Sequence, residues 1–217
     1  MEQSGGAKAN AGRRYRAYPT PEQAERLTGW GHACRAVWNL ALEQRQYLYR
    51  HRGVTLRSVE QCAQLTQARG ELAWLADLPA QSAQQVLRQL DHAYDNWWNP
   101  QHPAGPPTFK KRRNRLLVPF PGQAVKVRRR NRKWAQVWLP KIGWVRFRWS
   151  RPLGGVVRNA TVGRDGLGWR VDRAALPAPE VAAVLEPLVA AALVDRKPDT
   201  EMGENEYAVL IHPGLAE

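Results

Sequence analysis

The residues of this sequence that could do chemistry are cations, and many of them fall in one stretch. From Lys110 to Arg151 the 217-residue chain has fifteen basic residues and no acidic residue. Lysine and arginine hold a polyanion by charge and by release of its counterions. Aromatic residues are interleaved with these cations, and an aromatic ring either stacks on a base or packs in a core. The stretch predicts a polyanion as partner, with nucleic acid the leading candidate.

Two clusters in this stretch, Lys110–Arg115 and Arg128–Lys133, are the best candidates for phosphate contacts. Gln84, Gln85 and Arg88 leave the apolar stripe of a predicted helix, where amide and guanidinium groups can read base edges. The predicted nucleic-acid-binding residues are Arg13, Arg14, Arg16, Gln84, Gln85, Arg88, Lys110, Lys111, Arg112, Arg113, Arg115, Lys126, Arg128, Arg129, Arg130, Arg132, Lys133, Trp134, Arg146 and Arg148.

The ten tryptophans of the chain divide into two predicted roles. Trp134 adjoins the second basic cluster, so it is the tryptophan that we expect to stack on a base. Trp138 and Trp149 lie in alternating strand patterns, and the Trp97–Trp98 pair ends an apolar helical face. We therefore expect most of the other tryptophans to lie in the core.

No pattern in the sequence predicts catalysis, a metal site or a cofactor. The five histidines are scattered. The few acidic residues before residue 181 show no paired arrangement for acid–base chemistry. Cys34 and Cys62 show no paired spacing that would indicate zinc or a disulfide framework. We interpret them as two free thiols of a protein in a reducing compartment.

Charge is distributed unevenly along the chain, which has a formal net charge of +14. Residues 181–217 contain two basic and seven acidic residues, so the positive charge is concentrated in the rest. This asymmetry favours a basic binding body with an acidic appendage. Neither a signal peptide nor a membrane-spanning run of about 20 apolar residues is recognisable, so we expect a soluble, cytoplasmic, nucleoid-associated protein.

Three helices are predicted before residue 100, and strands follow. Thr20 begins the first helix with a capping pattern and Gly53 ends it, although Gly29–Gly31 is expected to kink or split it. A second helix begins near Ser58, and the clearest one runs to Trp98 with one apolar face. After Thr108 apolar residues recur at every second position, which predicts four to six strands. Together with the helices, these strands predict an α+β fold. We expect the strands to form a small antiparallel barrel that a further strand at Arg13–Tyr18 completes.

Six segments, in this order, resemble the N-terminal half of TnpB-type transposon-encoded RNA-guided nucleases, which are often named transposases. They are RYRAYPTPEQ (Arg14–Gln23), CRAVWNLAL (Cys34–Leu42), QSAQQVLRQLDHAYDNWW (Gln81–Trp98), PPTFKKR (Pro106–Arg112), LPKIGWVRFR (Leu139–Arg148) and GRDGLGWRV (Gly163–Val171). Each segment alone is weak evidence, but their order over about 160 residues is specific.

The resemblance implies a wedge β-barrel with an inserted helical recognition lobe that binds guide RNA and target DNA. On this basis we predict five segments. They are a disordered N-terminus (1–12), the first wedge strand (13–19), the helical lobe (20–100), the remaining wedge strands (108–176), and a linker with an acidic tail of uncertain origin (177–217).

The sequence departs from the family in the part that would cut DNA. The family carries a RuvC-like nuclease with metal-binding carboxylates and a zinc ribbon after the wedge, and cleavage with two metal ions needs clustered carboxylates. Asp195 is the only faint counterpart, and we interpret it as a surface acid. The sequence therefore predicts a truncated TnpB-like transposase protein that binds RNA or transposon-adjacent DNA and does not cleave alone. A nuclease-bearing partner or full-length homologue would complete it.

Two alternatives stay open at this point. Residues Thr20–Tyr49 could form a helix-turn-helix of a DNA-binding regulator or transposase accessory protein, which would bind duplex DNA without RNA. The chain could also be a non-functional remnant of a decaying transposase reading frame.

Overall fold

The structure is a computed structural model that describes residues 11–151 and 157–175. These residues all belong to the first of two compact units, residues 1–178, and the unit of residues 179–217 lies outside the described part. The helices are α1 (Pro21–Arg52), α2 (Ser58–Glu71), α3 (Ala73–Asp77) and α4 (Ala80–Trp98). The strands are β1 (Ala11–Tyr18), β2 (Leu117–Pro121), β3 (Lys126–Arg129), β4 (Trp134–Leu139), β5 (Gly143–Arg148), β6 (Val157–Asp165) and β7 (Gly168–Ala175). The predicted α+β class is confirmed.

Helix α1 begins at a capping box and continues without interruption to Arg52. The Thr20 hydroxyl accepts a hydrogen bond from the Gln23 main-chain N–H at 3.3 Å, and the Gln23 side chain accepts one from the Thr20 N–H at 3.1 Å. Gly53, with a φ of 64°, ends the helix in the left-handed conformation that glycine adopts at low cost. The predicted capping is confirmed.

Within Thr20–Tyr49, where a helix-turn-helix was predicted, Thr20 caps α1 and the other residues all lie in this one helix, so the turn lies beyond the predicted range. The first turn after α1 comes at residues 53–57, before α2. Gly31 does not break the helix. A Cβ at this position would lie 2.8 Å from the Leu116 side chain, so glycine allows α1 to approach the chain just before β2.

Between α2 and α4 lies the five-residue helix α3. Hydrogen bonds from Arg69 of α2 stabilise this short helix. The Arg69 guanidinium group donates to the main-chain carbonyls of Leu75 and Leu78 at 2.6 Å each and to that of Ala76 at 3.0 Å. These carbonyls have few partners within a helix of five residues.

The seven strands form one antiparallel sheet in the order β2-β6-β7-β1-β5-β4-β3. Strands β2 and β3, at its two ends, are consecutive in the chain and are joined by Gly122–Val125. A flat sheet of seven strands would separate its edges by about 29 Å, at about 4.8 Å per strand interval. The chain from Pro121 to Lys126 can span at most about 18 Å. The sheet must therefore curl strongly, although no pairing between β2 and β3 closes it among the described residues.

Asp77, at the end of α3, joins the helices to the turn between β4 and β5. Its carboxylate accepts 2.6 Å hydrogen bonds from the indole N–H of Trp30 and from Arg26. The hydrogen bond from Arg26 is the main reason that the pKa of Asp77 lies below its ordinary value. Lys141 in the turn donates its ammonium protons to the carbonyls of Ala76 and Asp77 at 2.9 and 3.0 Å. The helical layer and the sheet are thus fixed at this point.

A buried polar network ties α1, α2 and α4 together. Arg45 of α1 is 5% exposed and forms an ion pair of 2.7 Å with Asp91 of α4. Its Nε donates to Gln61 of α2 at 2.8 Å, and Asp91 accepts from the Ser58 N–H at the start of α2. Burial raises the pKa of Asp91, but the hydrogen bonds from Ser58 and the contact with Arg45 outweigh it and leave this pKa below its ordinary value.

We expect Asp91→Asn to reduce the free energy of unfolding by about 3–5 kcal/mol at pH 7, because it leaves the buried Arg45 without a counter-charge. The matched control is Asp95→Asn, which removes the exposed ion pair between Asp95 and Arg57 and should cost less than about 1 kcal/mol. Urea unfolding of the full chain measures both.

The difference between the wild type and Asp91→Asn should also depend on pH. A carboxylate whose pKa is lowered by folding stabilises the fold above its unfolded pKa of about 3.9, and this contribution is lost as the pH falls through the folded value. The difference in free energy of unfolding between the two proteins should therefore be largest at neutral pH and decrease in acid. Equal costs for the two variants at neutral pH would contradict the assigned network.

Candidate nucleic-acid interface

Strands β3, β4 and β5 separate apolar from charged side chains because neighbouring residues of a strand point to opposite faces. On β4, the inward residues Ala135, Val137 and Leu139 are fully buried. On β5, Val145 and Phe147 are fully buried as well. We name the outward side the basic face; its residues are Lys126, Arg128, Trp134, Gln136, Trp138, Trp144, Arg146 and Arg148.

The antiparallel register aligns the basic face in rows across the three strands. Trp134 lies opposite Arg148, and Gln136 lies between Arg128 and Arg146. A third row consists of Lys126, Trp138 and Trp144. Side chains that face each other across paired strands are about 4.5–5.5 Å apart at Cβ, so each arginine has an aromatic or amide group beside it.

Aromatic rings hold the arginines of the basic face. The guanidinium carbon of Arg128 lies 3.9 Å from the ring centroid of Trp144, and its Nε donates to Gln136 at 2.9 Å. The guanidinium carbons of Arg146 and Arg148 lie 4.7 and 5.3 Å from the ring of Trp134. Each such contact at an exposed site contributes about 0.5–1 kcal/mol and leaves the positive charge uncompensated. The face therefore presents ordered cations to an anion.

Trp134 is positioned to support cations, and its predicted stacking on a base stays a prediction. Besides the two arginines, Tyr18 of β1 contacts this ring edge to face at 5.2 Å. Trp138 and Trp144 are only half-buried, so the expectation that Trp138 belongs to the core is wrong. Sequence reasoning missed Gln136 and Trp144 as parts of this surface, although the alternation of β4 and β5 carried the signal.

The turn between β3 and β4 carries the second basic cluster and is ordered by Asn131. The Asn131 side chain accepts hydrogen bonds from the main-chain N–H groups of Lys133 and Trp134 at 2.9 Å each. Arg129 donates from its Nε to the Asn131 carbonyl at 3.1 Å. Arg130, Arg132 and Lys133 are exposed around this turn, next to the basic face.

The first basic cluster is anchored to α1 through Lys110. The side chain of Asn39 accepts from the Lys110 N–H at 2.8 Å and donates to its carbonyl at 3.1 Å. The ammonium nitrogen of Lys110 lies 3.9 Å from the ring centroid of Trp38, and burial lowers the pKa of this lysine. The structure thus uses Lys110 to anchor the loop, whereas the following cations are exposed; they are Lys111, Arg112, Arg113 and Arg115.

Two of the three arginines predicted on β1, Arg14 and Arg16, have acidic partners, whereas those of the basic face have none among the residues that the structure describes. Arg14 forms an ion pair with Asp172 at 2.8 Å, and Arg16 forms one with Asp165 at 3.2 Å. Arg170 is 4% exposed and contacts both acids. Their charges are thus compensated within the sheet, and their binding to nucleic acid stays a prediction.

The polar residues predicted on α4 are not part of the sheet surface. Gln84 and Gln85 are half-buried and Arg88 is exposed. Trp97 and Trp98 are 42% and 49% exposed, so their assignment to the core is wrong. Buried tryptophans are found instead in α1, where Trp30 and Trp38 pack into the core.

Comparisons with known proteins place the chain in a family. The helix-turn-helix domain model HTH_OrfB_IS605 matches residues 9–53. InsQ of Escherichia coli (strain K12), named as a candidate RNA-guided DNA endonuclease, is 31% identical over 160 residues, which are 73% of this chain and 38% of InsQ. The chain belongs to the TnpB-type family.

Two further relatives are similar to this TnpB-type chain. A candidate RNA-guided DNA endonuclease of Streptomyces pristinaespiralis is 31% identical over 182 residues, 79% of this chain and 44% of that protein. The virulence protein VsdF of Salmonella dublin is 32% identical over 109 residues, 46% of this chain and 92% of VsdF. The chain spans less than half the length of the two endonuclease relatives, and it corresponds to the N-terminal region of the family.

In this TnpB-type chain, the described part of the segment that matches the helix-turn-helix model contains β1 and α1. The turn at residues 53–57 and helix α2 begin where the match ends. Both cysteines are free, and burial raises the pKa of Cys34 to about 12. Within the described ranges no group of three or more His, Cys, Asp or Glu residues could hold a metal ion, and no helix there has the length and apolar character of a membrane span. Asp195 lies outside these ranges.

We expect Asn39→Ala to release the first basic cluster, because it removes both hydrogen bonds that fix the main chain of Lys110. Trypsin should then cut faster within residues 110–115, while the wild-type rate is kept within residues 128–133. Asn131→Ala is the reciprocal control and should accelerate cutting only in residues 128–133. Mass spectrometry of the early fragments measures both rates. Equal acceleration at the two clusters would show that neither asparagine acts locally.

Proposed function

We propose that this chain binds the phosphate backbone of nucleic acid through the basic face and the adjoining turn between β3 and β4. The observation that carries the proposal is the set of arginines held over tryptophan rings, with no acidic partner among the described residues, in a stretch that contains no acid. Ordered guanidinium groups lose little entropy on binding phosphate, and they can form paired hydrogen bonds with its oxygens.

We propose structured RNA as the preferred ligand, with DNA next to the transposon as a further one. The names of the two endonuclease relatives, which refer to RNA guidance and to DNA, support this choice. The curled sheet and the exposed loops also suit a folded RNA, which proteins recognise largely by shape and by its backbone. The exposed cations at residues 111–115 would extend the contact beyond the basic face.

We propose no cleavage step for the described region. Two-metal cleavage of a phosphodiester needs clustered carboxylates, and the acids nearest to the sheet surface are paired with arginines. Asp165 and Asp172 are such acids, and both contact Arg170. This region would hold a strand, and any cutting would need a nuclease-bearing partner or a full-length homologue.

A second candidate function is binding of duplex DNA by α1 and α2, which the name of the matching helix-turn-helix model favours. It predicts selective binding of duplex DNA without RNA. It also predicts that discrimination between DNA sequences depends on exposed residues of these helices and not on β5.

The test compares two double variants that each remove two positive charges. Arg146→Gln with Arg148→Gln changes the basic face, whereas Arg52→Gln with Arg164→Gln changes exposed arginines elsewhere. Binding of the full chain to a structured RNA and to a DNA duplex of equal length is measured by fluorescence anisotropy. We expect the wild type to favour the RNA, the first variant to bind it roughly tenfold more weakly at low salt, and the second to change little.

The same measurement separates the two candidates. If the basic-face variant keeps wild-type affinity for RNA and for DNA, the proposed surface is wrong. Selective duplex binding that is lost only on substitution of exposed α1 and α2 residues would support the helix-turn-helix candidate instead.

A further inference from the structure

Helix α4 ends in exposed aromatic rings that the basic face does not use. The planes of the Trp97 and Trp98 rings are inclined by 29°, with 6.2 Å between their centroids. Tyr94 lies 5.2 Å from the ring of Trp98. Across from them, Tyr49 of α1 is 69% exposed. Large aromatic rings gathered on a surface mark an interaction site more often than a structural need.

These rings line a cavity of about 650 Å³ between the C-terminal halves of α1 and α4. Pro106 and Pro107, from the loop after α4, form another part of its wall. The volume falls within the range of about 300–1,000 Å³ that is typical of sites for small ligands. None of the described residues that line it is acidic, and two of them, Arg45 and Arg50, are basic.

The two arginines of this cavity differ in whether an acidic residue of the described ranges already neutralises their charge. Arg45 is buried, forms the ion pair with Asp91, and lies 5.5 Å from the ring centroid of Tyr94. Arg50 is exposed and forms no salt bridge with any residue that the structure describes. Arg50 is therefore the cation of this site that a ligand can engage, at the rim of an aromatic wall.

We propose that this cavity binds one unpaired nucleotide of a nucleic acid held by the chain. The base would stack on Tyr49 or on the Trp97–Trp98 pair, and Arg50 would contact its phosphate. Stacking needs an exposed base face, which a base inside a duplex does not offer, so the site would select unpaired over paired nucleotides. The proposal rests on the proposed function, but it concerns residues that lie outside the basic face.

The test uses the full chain and two duplexes of identical paired sequence, one blunt and one with a short single-stranded overhang. Trp98→Leu and Arg50→Gln change the cavity. Trp74→Leu and Arg52→Gln are matched controls at exposed positions outside it. We expect each cavity variant to bind the overhang duplex at least about fivefold more weakly than the wild type and to keep its affinity for the blunt duplex.

A further variant guards against a folding defect. Trp98→Phe keeps an aromatic ring and should recover most of the affinity for the overhang. The inference is overturned if the wild type binds the two duplexes equally, or if the cavity variants bind the overhang duplex as the wild type does. In that second case, loss of binding in the basic-face variant would leave the proposed function intact. Loss of affinity for both duplexes in Trp98→Leu and Arg50→Gln alike would also overturn it.

Discussion

The antiparallel register between β4 and β5 is the constraint on which the basic face depends. Apart from Leu139 and Gly143 at the turn, each pair of opposed residues either joins two buried side chains, such as Val137 and Val145, or joins an aromatic or amide group to an arginine or a tryptophan. A slip by one residue would turn the arginines into the core and the valines to solvent. The cost of burying unpaired cations therefore fixes the register, and the register in turn places each arginine beside an aromatic or amide group.

The turn that sets this register is itself strained and is held from outside the sheet. Lys141 has a φ of 62°, a left-handed conformation that is uncommon for a residue with a side chain, and the turn closes through a hydrogen bond from the Ile142 N–H to the Leu139 carbonyl. The bonds from the Lys141 ammonium group to the end of α3 compensate this strain. The helices thus support the basic face indirectly, because they fix the turn from which both strands emerge.

The sequence allowed the main elements to be predicted where a local signal existed. The capping box at Thr20, the apolar stripe of α4 and the alternation in β4 and β5 are local signals, and the structure confirms these elements. Strands β2 and β3 were not predicted individually, since both are short; β2 depends on its pairing with the distant β6, and β3 pairs over only four residues with β4. The helix α3 depends on Arg69, a contact from another element, which no local pattern reveals.

The candidate site was predictable in composition but not in arrangement. The acid-free stretch was enough to choose a surface for the proposed contact with nucleic acid, yet it did not distinguish the cation that anchors a loop from the cations exposed to a ligand. Lys110 lies over Trp38 of α1, and Arg14 and Arg16 have acidic partners in the sheet; these contacts form only in the folded chain. The exposure of Trp97 and Trp98 was missed, because the apolar stripe of α4 does not show how far along the helix other elements pack against it.

The central claim is that the basic face contacts phosphate, and the salt dependence of binding tests it most directly. Each phosphate contact on duplex DNA contributes about 0.9 to the slope of log K against log salt concentration. A triple variant, Arg128→Gln with Arg146→Gln and Arg148→Gln, should therefore reduce the magnitude of this slope by about 2–3 relative to the wild type. An unchanged slope in this variant would contradict the account.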